Sequence, residues 1–551
     1  MLTFSKRTRF LSKDPTTIGL YLAAFLFMLV FFLWPLGTMV AASVEGPSGP
    51  SFAYYVDFLS RKLLVNSFWN SLMMAVISTA SATVVGFLFA YAMTRVDMPG
   101  KRFFKGIVIL QLISLPFTVG LSFIMLFGRR GLITYGLLGR PFEIYGWHGL
   151  WMVQTLTFFP LAYLVLVGVL KSIDPALEYA ARNLGARDTH VFKDVVLPLS
   201  IPGVASAALL VAMNVLGDFG NPALIAGDFT VIATEAYMQI VGWGNFRMAA
   251  VLCNILFLPV FILFIAQKYW VSRKVYVTVT GAPTQLGIRK TGRLVKWFLF
   301  SFCLIVSSVI VLIYASIGLG GFVRTWGMDY SFTTQHLDYV IFQGIPAIEN
   351  ALIFSLTSGL ACAILGVLDA YIIFRKRMLG RQLLDFISTL PAAVPGFILG
   401  IGYILSFNTP PLILTATPYI IILNNIARDL PTGFQAGMAG IQQIDVSIEE
   451  ASVNLGAGTF QTLRNVALPL LKSALGAGFI YSFIKCMTTV SAVIFLITPK
   501  WNLPSPIILG LASEGYWGQA AALSAILLTI VVGTLLVCRA VAGKRIPLFE
   551  V

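Results

Sequence analysis

The chain alternates between long apolar runs and short polar segments. Each apolar run holds roughly 20 residues, the length that a helix needs to cross the hydrocarbon core of a bilayer. The pattern predicts an all-α polytopic membrane protein with about 12 transmembrane helices, divided equally between two halves of the chain. The predicted spans are 18–41, 68–93, 104–127, 148–170, 200–224, 247–269, 296–319, 350–374, 384–407, 412–436, 472–497 and 519–541.

One polar segment occurs twice. Residues 174–199 read DPALEYAARNLGARDTHVFKDVVLPL, and residues 445–470 read DVSIEEASVNLGAGTFQTLRNVALPL. Matching positions are 271 residues apart, and they include the pairs Asp174 and Asp445, Glu178 and Glu449, and Gly185 and Gly456. Helix formers precede each glycine, so each segment is predicted to form a short helix, a turn and a second short helix. A repeat at one fixed spacing indicates two related halves.

The halves also match within the membrane. Residues 70–95 parallel residues 350–375, and both stretches run in the same direction. We therefore expect parallel repeats, related by an axis along the membrane normal. The predicted division is a first half at 1–270, a polar and basic cytoplasmic linker at 271–294, and a second half at 295–551.

Composition and charge agree with a membrane location. Hydrophobic residues make up 58% of the chain, charged residues make up 11%, and the mean hydropathy is +0.86, which excludes an ordinary soluble domain. The net charge of +15 does not indicate nucleic-acid binding, because its distribution follows the predicted topology. Segments on one side of the membrane hold 28 Lys and Arg residues and those on the other side hold eight. The positive-inside rule then places both termini and both repeated segments in the cytoplasm.

The sequence lacks the signatures of catalysis. Its five cysteines and three histidines show no metal-ligand spacing, so we expect no metal site on this chain. No G-x-x-x-x-G-K-[ST] motif occurs, so ATP and magnesium would have to bind to another subunit. The first apolar run is too long for the core of a signal peptide, and a retained signal-anchor helix is expected.

The repeated segment resembles the EAA loop of the membrane subunits of binding-protein-dependent ABC importers. The resemblance rests on two motifs, E-Y-A-A-x-x-x-G from Glu178 to Gly185 and E-E-A-S-x-x-x-G from Glu449 to Gly456. Each motif is followed by L-P-L. Two loops in one chain resemble the fused type I permeases. Within the family, the first short helix of each loop docks on an ATPase subunit. The residues that the resemblance assigns to this coupling are Glu178, Ala180, Ala181, Leu184, Gly185, Glu449, Ala451, Ser452, Leu455 and Gly456.

The resemblance also implies partners and a location. It implies two copies of a nucleotide-binding ATPase, a soluble periplasmic or lipid-anchored substrate-binding protein, and the lipid of a bacterial inner membrane. Glu178 and Glu449 would face cationic groups of the ATPase. Tyr179 and Ser452 depart from the usual alanine pattern of the loop, and both residues are compatible with a short helix.

Polar residues within apolar spans are candidates for the translocation pathway, because they are costly in a bilayer unless they are paired or hydrated. The candidates are Asn214, Asp218, Arg428, Lys485, Thr488 and Thr489. One hypothesis is that Asp218 pairs with Lys485 across the two halves as a gate. The alternatives are a purely structural ion pair, or charged side chains that extend to the ends of the spans.

The resemblance favours ferric iron as the substrate. The same group of permeases includes carriers of phosphorylated sugars, 2-aminoethylphosphonate and thiamine, and Lys485 and Arg428 would suit a phosphorylated or phosphonate anion. An ion-coupled secondary transporter is the alternative class, since such proteins also combine repeats with buried charges.

Overall fold

The computed structural model describes residues 14–46, 49–140, 143–271, 292–376 and 378–542. Most of the predicted linker at 271–294 lies outside these ranges, as do both ends of the chain. The helices of the first half are α1 Pro15–Ser43, α2 Ala53–Ser60, α3 Lys62–Arg95, α4 Lys101–Ile113, α5 Thr118–Phe127, α6 Trp147–Ser172, α7 Pro175–Asn183, α8 Asp188–Leu216, α9 Gly220–Ile225, α10 Ile232–Val241 and α11 Phe246–Tyr269.

The second half repeats most of this order. Its helices are α12 Arg293–Gly320, α13 Gln335–Arg375, α14 Arg381–Ala393, α15 Gly396–Phe407, α16 Pro418–Gln442, α17 Val446–Asn454, α18 Thr459–Leu470, α19 Lys472–Thr488, α20 Pro504–Ser513 and α21 Trp517–Ala542. After the first helix of each half comes a small antiparallel hairpin. The hairpins pair β1 Glu45–Gly46 with β2 Gly49–Pro50, and β3 Val323–Thr325 with β4 Asp329–Phe332.

Eight helices in the described ranges are long and apolar enough to cross a membrane, and three bent pairs raise the number to 11. The remaining predicted span, 412–436, corresponds to α16, which contains the charged residues Arg428 and Asp429. The helical bundle confirms the predicted all-α membrane fold.

Several predicted spans are broken rather than continuous. The chain bends by 109° between α4 and α5, and by 109° between α14 and α15. Pro116 lies in the first bend, Pro395 lies in the second, and Pro391 lies in the last turn of α14. Proline lacks an amide hydrogen and clashes with the preceding helical turn, so a straight helix is disfavoured at these positions. The predicted helices 200–224 and 472–497 are also interrupted, since α8 ends at Leu216 and α19 ends at Thr488.

Close helix packing is repeated in both halves. A Cβ atom on Gly86 of α3 would lie 2.9 Å from the backbone nitrogen of Tyr163 in α6. A Cβ atom on Gly366 of α13 would collide with the equivalent nitrogen, that of Phe434 in α16. Only glycine allows the two backbones to approach this closely, so the glycine at each position permits tight packing of two long helices.

The first helix of each half packs on the opposite half. The Tyr403 hydroxyl in α15 donates to the Phe31 carbonyl oxygen in α1 over 2.6 Å. In the reciprocal contact, the hydroxyls of Ser122 in α5 and Ser316 in α12 lie 2.6 Å apart. These exchanged contacts make the halves one interlocked bundle.

Candidate functional site

The helices α7 and α17, called the loop helices here, begin and end in the same way. The side chains of Asp174 and Asp445 cap their first turns by accepting 2.9 Å hydrogen bonds from the amides of Ala176 and Ser447. The backbone and side-chain hydrogen bonds from Ser447 lower the pKa of Asp445 below its usual value. This cap therefore remains charged at neutral pH.

Each loop helix ends at a glycine in the left-handed region. Gly185 has a φ of 91° and Gly456 a φ of 87°, which glycine adopts without the strain of a side chain. The preceding leucines, Leu184 and Leu455, are each 89% exposed. Ala180 and Ala451 are also exposed, whereas Ala181 is half-buried. An exposed leucine beside small residues is compatible with the predicted docking surface, whose role stays a prediction.

Ser452 occupies the position of Ala181 in the second loop. It is half-buried, and its hydroxyl lies 3.0 Å from that of Thr462 in α18. Ser452 therefore braces the two short helices of its loop against each other. It is less exposed than Leu455 and Ala451.

A buried ion pair anchors the first loop helix to the membrane bundle. Glu178 Oε1 lies 3.0 Å from Arg95 Nε, at the end of α3. Arg95 Nη2 also donates 2.9 Å hydrogen bonds to the carbonyl oxygens of Leu170 and Ile173, at the end of α6. One guanidinium group thus joins the loop helix to two transmembrane helices, and we call this arrangement the Arg–Glu clamp.

The second half contains the same clamp. Glu449 Oε1 lies 3.0 Å from Arg375 Nε, and Arg375 Nη2 donates to the carbonyl oxygens of Ile441 and Ile444 over 3.1 and 2.5 Å. The Tyr371 hydroxyl adds a 3.1 Å hydrogen bond to Glu449.

The clamps correct one expectation from the sequence. Both glutamate side chains are only 12% exposed and already pair with an arginine of this chain, so they do not present a free charge to an ATPase. The physical reason is that a carboxylate so nearly buried needs a partner, which the ends of α3 and α13 supply. The arginines were identifiable, because the matching stretches 70–95 and 350–375 both end in arginine.

A cavity of about 290 Å³ lies where the transmembrane helices are broken. Its walls come from the bends after α4 and α14, from the ends of α8 and α19, and from α6 and α16. All six predicted pathway residues line this cavity, namely Asn214, Asp218, Arg428, Lys485, Thr488 and Thr489. The structure thus brings together residues far apart in the chain, while their role in translocation stays a prediction.

The charges within the cavity are arranged differently from the predicted gate. Asp218 accepts hydrogen bonds from the side-chain amides of Gln154, at 3.0 Å, and Asn221, at 3.1 Å. Lys485 Nζ donates to the Thr432 hydroxyl at 3.0 Å. The Asp218–Lys485 pair is therefore wrong for this conformation, because each group is satisfied by donors or acceptors of its own half.

The second charged pair lies within α16. Arg428 Nη2 lies 2.5 Å from Asp429 Oδ2, and Arg428 also donates to the Thr489 hydroxyl. The two side chains are only 13% and 4% exposed. Arg428 is largely neutralised by its neighbour, whereas Lys485 is an exposed cation in the cavity wall.

Gln154 is the polar residue that the sequence prediction missed. Its amide nitrogen donates to Asp218, and its amide oxygen accepts a 2.9 Å hydrogen bond from Ser78 of α3. Gln154 is buried, and it ties Asp218 to two long helices. Its only sequence signal is a single glutamine within an apolar run.

Two regions of the chain, residues 82–276 and 355–541, match the family model described as the binding-protein-dependent transport system inner membrane component. The chain belongs to this family. The two matches fall on the two halves of the repeat, so this permease is a fused, two-domain membrane subunit of an ABC importer and not itself an enzyme. Such a subunit works in the inner membrane with ATPase and substrate-binding partners.

Relatives of the permease differ in how much of it they cover. A ferric transport system permease protein, FbpB, of Actinobacillus pleuropneumoniae is 32% identical and covers 98% of this chain and 80% of its own length. The molybdenum transport system permease protein ModB of Escherichia coli K12 is 30% identical over 35% of this chain and 89% of its own length. A crystal structure of a bacterial ABC transporter that imports the polysaccharide alginate gives a TM-score of 0.41 at 17% identity, over 47% of this chain and 96% of that one.

Proposed function

We propose that this permease imports ferric iron, with ATP and magnesium bound on two copies of a separate ATPase and iron delivered by a periplasmic or lipid-anchored binding protein. The permease itself holds no cofactor, and both of its termini lie in the cytoplasm. Its ferric transport relatives and the excess of Lys and Arg on one side of the membrane support these assignments.

The repeated Arg–Glu clamp is the observation that carries the coupling mechanism. Each clamp joins a loop helix to the ends of two long transmembrane helices, so these parts move as one body. When two ATPase subunits close on ATP, they would draw the loop helices together. The clamps would pass that displacement to the walls of the cavity as a rigid movement.

The cavity suits a cargo that is released rather than held. Across the described ranges, no group of three or more His, Cys, Asp and Glu side chains converges to hold a metal ion. Iron(III) prefers hard oxygen ligands. The cavity offers the Asp218 carboxylate, the Asp429 carboxylate, which is already paired with Arg428, and the hydroxyls of Thr488, Thr489 and Ser491. So sparse a ligand set favours weak, transient contact during passage.

One observation favours a second cargo. Lys485 is exposed at the cavity, and its ammonium group donates a hydrogen bond to the Thr432 hydroxyl. A cation in that position suits a phosphorylated sugar or a phosphonate better than it suits iron(III).

Uptake into proteoliposomes tests both cargoes. The permease and its ATPase would be reconstituted, and uptake would be compared between a binding protein loaded with iron(III) and one loaded with an organophosphate. ATP-dependent entry of iron alone is the expected result. Entry of the organophosphate alone would replace iron as the cargo, and uptake without ATP, driven by an ion gradient, would contradict an ABC mechanism.

A further inference from the structure

A second pocket, of about 440 Å³, lies at the cytoplasmic ends of α3, α4 and α6. Five of the seven residues that line it are basic and none is acidic. The lining residues are Met93, Thr94, Arg95, Lys101, Arg102, Lys105 and Lys171. Arg95 already belongs to the Arg–Glu clamp, so the four other cations determine what this basic pocket attracts.

The other half of the permease does not repeat this cluster. At the offset of 280 that relates 70–95 to 350–375, Arg102 corresponds to the neutral Gln382 and Lys105 to Asp385, while Lys101 corresponds to the basic Arg381. At the offset of 271, Lys171 corresponds to the neutral Gln442. Asp385 lies 2.9 Å from Lys268 Nζ in an ion pair, so the second half neutralises the corresponding surface. The positive charge of the pocket is therefore a property of one half and not a requirement of the repeated fold.

Within the described part of the chain, no carboxylate forms an ion pair with Lys101, Arg102 or Lys171. Lys101 Nζ donates instead to the Met93 carbonyl oxygen at 3.0 Å, and Arg102 and Lys171 are exposed. Asp97 attracts Lys101 electrostatically without forming an ion pair, so the cations of the pocket outnumber the nearby acid. These cations repel one another, and an anion placed among them would relieve that repulsion.

The surface beside the pocket is apolar. Phe103 is 51% exposed, and Trp297 and Phe298, at the start of α12, are 48% and 61% exposed. The rings of Phe104 and Phe300 hold α12 against α4, with their centroids 5.8 Å apart. In a membrane subunit, aromatic side chains exposed at this level lie among lipid chains and headgroups. A ligand for this site would therefore combine an anionic head with an apolar tail.

We propose that the basic pocket binds the headgroup of an anionic phospholipid from the cytoplasmic leaflet. The lipid phosphate lies among Lys101, Arg102, Lys105 and Lys171, and its acyl chains pass along Phe103 and Phe298. A bound lipid would steady the ends of α3 and α6, which the first clamp also joins. This site is independent of the cargo.

Lipid binding to the permease–ATPase complex tests the proposal. The complex would be purified in detergent, and the apparent Kd for phosphatidylglycerol would be measured by native mass spectrometry beside that for phosphatidylcholine. The double variant Arg102→Gln/Lys171→Gln is expected to bind phosphatidylglycerol about tenfold more weakly, because it removes two cations near the headgroup. Both residues are exposed, so folding should be retained.

The matched control is Lys193→Gln/Lys472→Gln. It removes two exposed lysines near the first turns of α8 and α19, and neither lysine lines the pocket. It should leave the Kd unchanged. An equal loss in both double variants would overturn the proposal, because the effect would then come from net charge. Two further results would also overturn it, namely equal affinity for the two lipids and displacement of phosphatidylglycerol by millimolar inorganic phosphate.

Discussion

The two Arg–Glu clamps share their ion pair and both arginine-to-carbonyl hydrogen bonds, whereas the two sides of the cavity carry different polar residues. At the offset of 271, Asn214 corresponds to Lys485 and Asp218 corresponds to Thr489. The residue that corresponds to Arg428 is Thr157. The arginine contacts at the cytoplasmic end are repeated in both halves, whereas the polar residues of the cavity differ between the halves.

The contrast reflects what each region contacts. We infer that both loop helices meet copies of one ATPase. Each half must therefore present the same surface at the same distance from the membrane. We infer likewise that a single cargo contacts both sides of the cavity at once, which does not require the two sides to be identical. This interpretation is tested by making the same change in both halves, and by giving one half the residue that the other half has at the equivalent position.

The largest effect is expected when the turns of both loop helices are broken. Gly185→Asp with Gly456→Asp places a side chain at two positions of positive φ and changes the surface beside Leu184 and Leu455. The permease should remain in the membrane and lose its ATPase on co-purification. Gly458→Asp, in the same loop at a φ of −69°, is the control. Undiminished recovery of the ATPase with the double variant would refute the docking assignment.

The next largest effect is expected from the clamps. Glu178→Gln or Glu449→Gln leaves an arginine without its anion, and breaking a largely buried ion pair costs about 3 kcal/mol. The ATPase should still co-purify, but uptake should fall about tenfold and more ATP should be hydrolysed per ion transported. The two variants should behave alike, because each removes the carboxylate that pairs with the arginine of its clamp.

Asp57→Asn is the control for the clamps, since it removes a solvent-exposed ion pair with Arg61 and should leave uptake unchanged. Loss of the ATPase from either glutamine variant would contradict the clamp and restore the role that the sequence suggests for these glutamates.

A smaller effect is expected when the cavity is made more symmetrical. Lys485→Asn gives the second half the residue of the first half and removes the exposed cation. For an iron cargo, the KM for uptake should change by less than about threefold, because a lysine does not ligate iron(III). The variant Lys485→Arg keeps the positive charge and changes the shape of the side chain, so it distinguishes the effect of charge from the effect of shape. A tenfold loss with asparagine but not with arginine would favour an anionic cargo.

The smallest effect is expected from Ser452→Ala, which gives the second loop the residue that the first loop has at Ala181. It removes a half-buried hydrogen bond to Thr462, worth about 1 kcal/mol. The affinity for the ATPase should change by less than about threefold. A larger change, measured by titrating the ATPase onto the detergent-solubilised permease, would show that Ser452 contacts the ATPase directly.

The sequence by itself determined the all-α membrane fold, the repeat, the loop helices and the set of polar residues that line the cavity. These features are local, since hydropathy, periodicity and a glycine after a short helix depend on neighbours in the chain. A polar residue in an apolar run also signals an unusual environment wherever the chain later places it.

Only the tertiary structure decided which groups meet. Arg95 and Glu178 are far apart in sequence, and they come together because Gly86 lets α3 approach α6 closely. Asp218 takes its hydrogen bonds from Gln154 and Asn221 and not from Lys485, because the fold places those amide nitrogens within 3.1 Å of its carboxylate. The partner of a charged group depends on how helices cross and where prolines break them, and a one-dimensional pattern does not contain that geometry.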